Sequence, residues 1–370
     1  MNTQKGESSP MVFLLSHFSF PPSPLTVNPS PLTFHPSPLT FNPSPLTFHR
    51  FLNMSYTASP NRYDGFPAHF RRCGKSGILL PKVSLGLWKN FGERRPLDEA
   101  KELLHHAFDN GITHFDLANN YGPPYGSAET NFGRVMHDSF RPYRDELFIA
   151  TKAGYDMWEG PYGNWGSRKY LFSSLDQSLK RMQLDYVDLF YSHRYDPVTP
   201  LEETLQALVD IVRSGRALYV GISRWPLKAT RFGFEYLRQR DVPCLCYQGR
   251  LNLLDRAVVD EEILEAVRQE GCGFVSFSPL AQGLLTDRYL NGIPADSRMR
   301  TDITLKEEVL TPELLQRLQE FRKQAAECGE SLANFALRSV LQEEGVTSVI
   351  IGASNKAQLD ENLKVMSSVN

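Results

Sequence analysis

Four side chains stand where apolar runs of the chain end: Asp116 in FDLANNYG, Lys152 in IATKAG, His193 in LFYSHR, and Tyr121 five residues past Asp116. A lysine inside an apolar strand is costly to bury unless a carboxylate compensates it, and Asp116 is of the right type. An ammonium so held beside a phenol predicts a Tyr121 with a depressed pKa, able to pass on a proton near neutrality. Taken singly, each residue has an ordinary reading. A strand-end aspartate caps a helix or pairs with a lysine, a histidine satisfies its hydrogen bonds, and a tyrosine packs in a loop. What gives the set its meaning is its occurrence on successive predicted strands.

The elements that must position these groups alternate. Runs at 83–88 (VSLGLW), 113–118, 147–153, 186–193, 217–223, 243–249, 273–280 and 348–354 read as strands. Between them lie amphipathic stretches. Residues 98–110 carry apolar side chains at helical spacing and stop at Gly111, 129–137 reads as helix, 167–184 has Ser167 as N-cap, and 201–215 ends at a glycine. Apolar strand runs separated by helices are what a parallel sheet covered on both faces requires. Eight such units predict an α/β protein built as a (β/α)8 TIM barrel, whose chemistry gathers at the C-terminal strand ends. A doubly wound open sheet is the alternative, but its G-x-G-x-x-G fingerprint is missing, since Gly86 stands alone in SLGLWKNFG.

The chain has 370 residues, with 40 Lys plus Arg against 42 Asp plus Glu. That balance argues against a nucleic-acid or anionic-membrane partner. No apolar run approaches the length of a membrane span. The five cysteines are scattered and never in CxxC spacing, so neither a disulfide scaffold nor a metal site is expected, and a reducing, cytoplasmic setting is favoured.

Residues 1–53 differ in texture. Pro22 to His49 is four copies of a seven-residue unit (PSPLTVN, PSPLTFH, PSPLTFN, PSPLTFH), and the segment holds 10 of the chain's 25 prolines. Proline at two positions in seven forbids helix and ladder alike. The expectation is a disordered tail at 1–53 with polyproline II character, ahead of a barrel domain at 70–370. Tandem near-identical copies also read as translated repetitive DNA, with Met54 as the true start. A targeting peptide around MVFLL and the sequon Asn53-Met54-Ser55 are weaker readings.

With the strand ends in place, the chain resembles the aldo-keto reductases over roughly residues 70–366. FDLANNYG, TKAG and YSHR match the pattern of the chemistry, and GISRW, YQGRLN, FSPLAQGLL and IGASNKAQLDENL match that of the cofactor segments. Within the family it is similar to the branch holding potassium-channel β-subunits and a bacterial L-glyceraldehyde 3-phosphate reductase. NNYGPPYGSAE, ATKAGYDMW and YLNGIPADSRM point toward the reductase.

The resemblance implies an NADP(H)-dependent reduction of small aldehydes, glyceraldehyde 3-phosphate among them, with Tyr121 as proton donor and Lys152, Asp116 and His193 as its catalytic companions. It implies cofactor contacts at Trp88, Ser223, Arg224, Gln248, Phe277, Ser278, Leu280, Gly283, Arg288, Arg298, Gly352, Ser354, Gln358, Glu361 and Asn362, and no metal. Without it, residues 351–363 would read as strand, turn and helix with Ser354 as N-cap. Arg168, Lys169 and Arg194 are candidates for a substrate phosphate, against a plain reading as solvated charges.

Three departures from the family pattern stand out. His193 replaces the asparagine of the channel relatives, which favours a working reductase over a redox-sensing module that binds NADP(H) and docks on a partner. Ala353 and Gln358 occupy places where many members carry Lys and Arg, so NADP(H) preference rests on Arg298, Ser354 and Lys356. Arg288 replaces a usual lysine. Related chains continue through a further helix past the place of Asn370, and a barrel without it is expected to expose its lower end or one pocket wall. A homo-oligomer is an expectation from the branch.

Overall fold

The computed structural model describes residues 56–369 apart from 291, 296, 302 and 303, and only the backbone of Arg298 and Thr301. The proline-rich repeats at 1–53 lie outside the described residues. A short antiparallel pair comes first, β1 (Phe70–Arg72) and β2 (Leu79–Pro81). Eight strands follow: β3 (Val83–Gly86), β4 (His114–Asp116), β5 (Phe148–Ala153), β6 (Val187–Ser192), β7 (Ala217–Ser223), β8 (Cys246–Arg250), β9 (Gly273–Phe277) and β10 (Val346–Ile351). Each pairs in parallel with the next, and β10 closes on β3, giving the expected closed barrel and excluding the open sheet.

The helices are α1 (Leu97–Asp109), α2 (Ser127–Val135), α3 (Arg168–Met182), α4 (Leu201–Arg213), α5 (Leu227–Arg238), α6 (Ala257–Asp260), α7 (Ile263–Glu270), α8 (Arg298–Thr301), α9 (Pro312–Glu327), α10 (Leu332–Leu341), α11 (Lys356–Leu363) and α12 (Val365–Ser368). Their boundaries follow local chemistry. The Ser167 side chain accepts from the Tyr170 N–H and starts α3. Gly111, at φ +84°, reverses the chain after α1, where a Cβ would press on the Arg62 carbonyl.

Strand parity places the chemistry. Ile149 and Thr151 face the helices, while Ala150 and Lys152 point into the barrel, and Phe115 likewise alternates with inward His114 and Asp116. Tyr191 and Gln248 share that interior. β3, β4, β6, β9 and β10 end earlier than their apolar runs. β9 stops at Phe277 because Ser278 adopts φ +53°, and β3 stops at Gly86, so Leu87 and Trp88 belong to the following loop.

The hairpin β1–β2 was not foreseen, and it answers the expectation of an open lower end. Cys73, beside β1, and Leu80 are fully buried with Ala150, Leu189, Leu245, Cys246 and Val275. Lys75 N–H bonds the Gly271 carbonyl, and Arg71 bonds the Leu341 and Val346 carbonyls. The hairpin is thus a plug under the strands' N-terminal ends. Among the described residues no helix is long and apolar enough to cross a membrane.

Candidate active site

Asp116 is the last residue of β4, Lys152 the penultimate one of β5, and His193 the first after β6, so adjacent strands deliver all three to one end of the barrel. The loop after β4 brings Tyr121 back over them. Its N–H bonds the Ala118 carbonyl, and its own carbonyl accepts from Gly126 and Ala128 at the start of α2.

The buried Lys152 ammonium donates to Asp116 Oδ2 at 2.5 Å, to the Leu117 carbonyl at 2.6 Å and to the Tyr121 hydroxyl at 3.4 Å. The remaining Asp116 oxygen accepts from Gln248 Nε2 at 3.0 Å. The sequence expectation that Asp116 compensates Lys152 beside Tyr121 is therefore met. A second buried carboxylate supports the frame: Glu129 accepts from Thr151 Oγ1 at 2.6 Å and pairs with Arg181 at 2.8 Å, locking β5 to α2 and α3.

The predicted direction of the Tyr121 shift is corrected. Its pKa is raised well above the ordinary 10, first by burial and then by the Asp116 charge and Tyr155. Lys152 does not reverse this, because Asp116 neutralises it at close range while burial pulls its own pKa down. Tyr121 therefore keeps its proton at neutral pH. That suits a donor, because an alkoxide forming nearby is a far stronger base than a phenolate and takes the proton without any lowering of the phenol's pKa.

His193 is buried and packs edge-on against Tyr121, with ring centroids 5.9 Å apart. Burial, then Lys152, Arg224 and Arg194, push its pKa well below 6.5, so it is a neutral imidazole. Its Nδ1 is buried without a hydrogen-bond partner. Trp88 lies with its ring 6.3 Å from that of Tyr121 and is well exposed, which makes it a wall of the mouth.

Beside this centre, Ser223 and Gln248 are register partners on β7 and β8. Ser223 Oγ is buried with no partner, and Gln248, donating to Asp116, leaves its amide oxygen as an acceptor. Arg224 follows at φ +57°. The segment after Phe277 turns sharply, with Ser278, Ala281, Gln282 and Gly283 all at positive φ, and Leu280 lies within it. Thr286 Oγ1 then caps the turn by accepting from the Arg288 N–H.

At the end of β10, Gly352 is exposed and Ser354 N–H is held by Gln358 Oε1 at 3.0 Å. The N-cap of α11 is Asn355, not Ser354, with its side chain accepting from Gln358 N–H at 2.8 Å. Glu361 is engaged by Ser331, Asn334 and Lys364, Asn362 is buried, and Lys356 pairs with Glu102 at 3.1 Å. The side chain of Arg298 lies outside the described residues.

Tyr155, which sequence reasoning missed, joins these parts. Its ring sits edge-on to His193 at 4.7 Å, and its hydroxyl accepts from Arg224 at 2.7 Å. No spacing rule points to it, because the contacts cross three strands. Of the three phosphate candidates, Arg168 pairs with Asp210 and Lys169 lies over the Tyr162 ring, while Arg194 packs on Tyr155.

Comparison with known proteins agrees with this geometry. Residues 82–369 match the model of the aldo/keto reductase family. The chain is 52% identical over 320 residues to L-glyceraldehyde 3-phosphate reductase of Escherichia coli strain K12, covering 85% of this chain and 92% of that one. It is 35% identical over 304 residues to a probable voltage-gated potassium channel subunit beta of Oryza sativa subsp. japonica, covering 80% and 90%. The counterpart in Arabidopsis thaliana is 34% identical over the same length. The chain belongs to the aldo/keto reductase family and is an oxidoreductase.

Proposed function

We propose that this aldo/keto reductase uses NADPH to reduce small aldehydes, glyceraldehyde 3-phosphate among them, to primary alcohols. The observation that carries the reading is the Lys152 ammonium, fixed by Asp116 at 2.5 Å and reaching the Tyr121 hydroxyl at 3.4 Å beside a neutral His193. The resemblance to a protein named L-glyceraldehyde 3-phosphate reductase supports the substrate class.

A nicotinamide fits the residues present. The orphaned Ser223 hydroxyl and the free Gln248 amide oxygen offer a donor and an acceptor of the kind a carboxamide needs. Ser223, Arg224 and Gln248 would hold that end, with Trp88 and Phe277 toward the ring. Ser278, Leu280, Gly283, Arg288 and Arg298 would line the pyrophosphate and ribose. Gly352, Ser354, Gln358, Glu361 and Asn362 would serve the 2′-phosphate and adenine. When bound, the reduced cofactor supplies a hydride to the carbonyl carbon.

The chain's own residues handle the oxygen. As the C=O π pair moves onto oxygen, the Tyr121 hydroxyl donates its proton there, so no free alkoxide accumulates. His193, kept neutral, orients the carbonyl as a hydrogen-bond donor and does not compete for the proton. Lys152, tied on three sides, fixes the Tyr121 hydroxyl in place through its hydrogen bond. Water returns the proton to Tyr121 after each turnover.

The test follows NADPH absorbance with glyceraldehyde 3-phosphate. The wild type oxidises NADPH at about 1 per second or more, and Tyr121→Phe loses a factor of about 100 to 10,000 while still binding NADPH. No oxidation by the wild type, or unchanged turnover in the variant, overturns the proposal. A non-turning-over module akin to the channel subunits would instead bind NADPH tightly and leave aldehydes untouched.

A further inference from the structure

Arg194 follows His193 directly, yet it is not a solvated surface charge. Its guanidinium lies between two rings, 4.3 Å from the Tyr155 centroid and 3.7 Å from that of Trp165. Its Nε donates to the Gly154 carbonyl at 2.7 Å and its Nη2 to Asn164 Oδ1 at 2.8 Å. Both faces and one edge are thus occupied. The opposite edge, carrying Nη1 and the second Nη2 proton, makes no hydrogen bond among the described residues, and Arg194 has no carboxylate partner there. Asp156 stays one step away, taken up by the Asn164 amide.

A guanidinium covered on both faces by aromatic rings and left without a counter-ion is an anion receptor awaiting a partner. The ring faces supply cation–π attraction but no hydrogen-bond acceptors, so the open edge is where its remaining donors are satisfied. That edge has the fork geometry that takes two oxygens of a phosphate or carboxylate together. The clamp also removes most of the side chain's freedom before any ligand arrives, so little ordering cost remains at binding. Its position is tied to the chemistry through Tyr155, which touches Arg194 on one side and His193 on the other.

Resting on the reductase reading above, we infer that Arg194 is the specificity-determining residue of the site, binding the terminal phosphate or carboxylate of the substrate through its open edge. The aldehydes it selects carry an anionic group a short distance from the carbonyl. Tyr155, Trp165 and Asn164 are positioning residues that hold the fork in place. Arg168 plays no part in this, because its charge is spent on Asp210.

The experiment compares kcat/KM for glyceraldehyde 3-phosphate with that for glyceraldehyde, in wild type, Arg194→Gln, Arg194→Lys and Arg168→Gln. The expected result is that the phosphate-to-neutral ratio falls at least tenfold in Arg194→Gln, lies between in Arg194→Lys, and keeps its wild-type value in Arg168→Gln. An equal loss on both aldehydes in Arg194→Gln marks a merely structural clamp and overturns the inference.

Wild type alone gives a second reading that needs no variant to fold. Inorganic phosphate, at saturating NADPH, is expected to inhibit competitively against glyceraldehyde, and its failure to compete overturns the inference as well. If wild type turns over glyceraldehyde but gains nothing from the phosphate, the reductase stands and the anion site falls. If it turns over neither, the reductase reading fails and takes the anion site with it.

Discussion

Replacing Asp116 by asparagine removes one charge from a buried centre while keeping its shape. The new amide can still accept from Lys152 through its one oxygen, but it carries no charge, so the buried ammonium loses its counter-ion. Breaking a buried pair in this way costs about 3 to 5 kcal/mol. An upper bound follows from the ammonium's escape route, which is to lose its proton. At pH 7 that costs 1.36 kcal/mol for each unit below the free lysine value of 10.4, or about 5 kcal/mol, and at pH 9 only about 2 kcal/mol.

The sign is fixed by linkage. In the variant the folded pKa of Lys152 lies below its unfolded value, so the unfolded chain binds the extra proton and stability rises with pH across this window. In wild type burial pulls the Lys152 pKa down, but Asp116 opposes that pull, so the effect of pH is smaller. The expected deficit of Asp116→Asn relative to wild type is therefore about 3 to 5 kcal/mol at pH 7, shrinking to about 2 at pH 9. Urea unfolding of both proteins at the two pH values, with matched m-values, measures it. A deficit under about 1 kcal/mol at pH 7, or one that does not change with pH, refutes the argument that Asp116 holds a buried cation.

Three further outcomes are expected. The rate of reduction should be flat from about pH 6.5 to 9, because Tyr121 keeps its proton to above its ordinary value of 10 and His193 is neutral down to well below 6.5; a pH–rate limb centred near 7 would show a depressed phenol instead. Acid should destabilise the fold through His114, whose pKa burial lowers to about 4, so that stability is lost as pH falls from 6.5 toward 4, by about 3 kcal/mol. His114→Asn, measured by urea unfolding at pH 7 and 4.5, should weaken that dependence, and an unchanged slope would exclude this origin. Gly133→Ala should cost about 3 kcal/mol, since a Cβ there would lie 2.1 Å from the Arg181 carbonyl oxygen, where α2 crosses α3; a fall in unfolding free energy below about 1 kcal/mol would mean the helices part easily.

Much of this site is readable from sequence because strand parity and strand ends are. Lys152 sits in phase with Ala150, two residues before an exit from the barrel, so its inward direction and its need for Asp116 follow from FIATKAG and FDLANN alone. The hairpin was less legible, with three residues to a strand and its apolar side chains visible as a plug only once the barrel closes above them. Yet Gly74 and Gly77 fall within its turn, and glycines so placed between two short runs are a hairpin signal.

What sequence misjudged was the balance of two effects at Tyr121. Proximity of a cation was legible, but the cation's near-neutralisation at 2.5 Å and the burial of the phenol were not, and those two outweigh it. Arg194 shows the same limit. A charged residue after a strand reads as solvated, and only the meeting of Tyr155 and Trp165 on its two faces, from the loop after the preceding strand, turns it into a fixed receptor. Pairing and covering are properties of the fold, so the field at a site departs from its residue list wherever a charge is either matched at short range or held in place without a counter-ion. Here Lys152 is matched, and Arg194 is held against two rings with no carboxylate partner among the described residues. The open positive edge therefore belongs to Arg194, and an anionic substrate would be drawn to that side of the mouth, leaving the Lys152–Tyr121 pair to handle the proton.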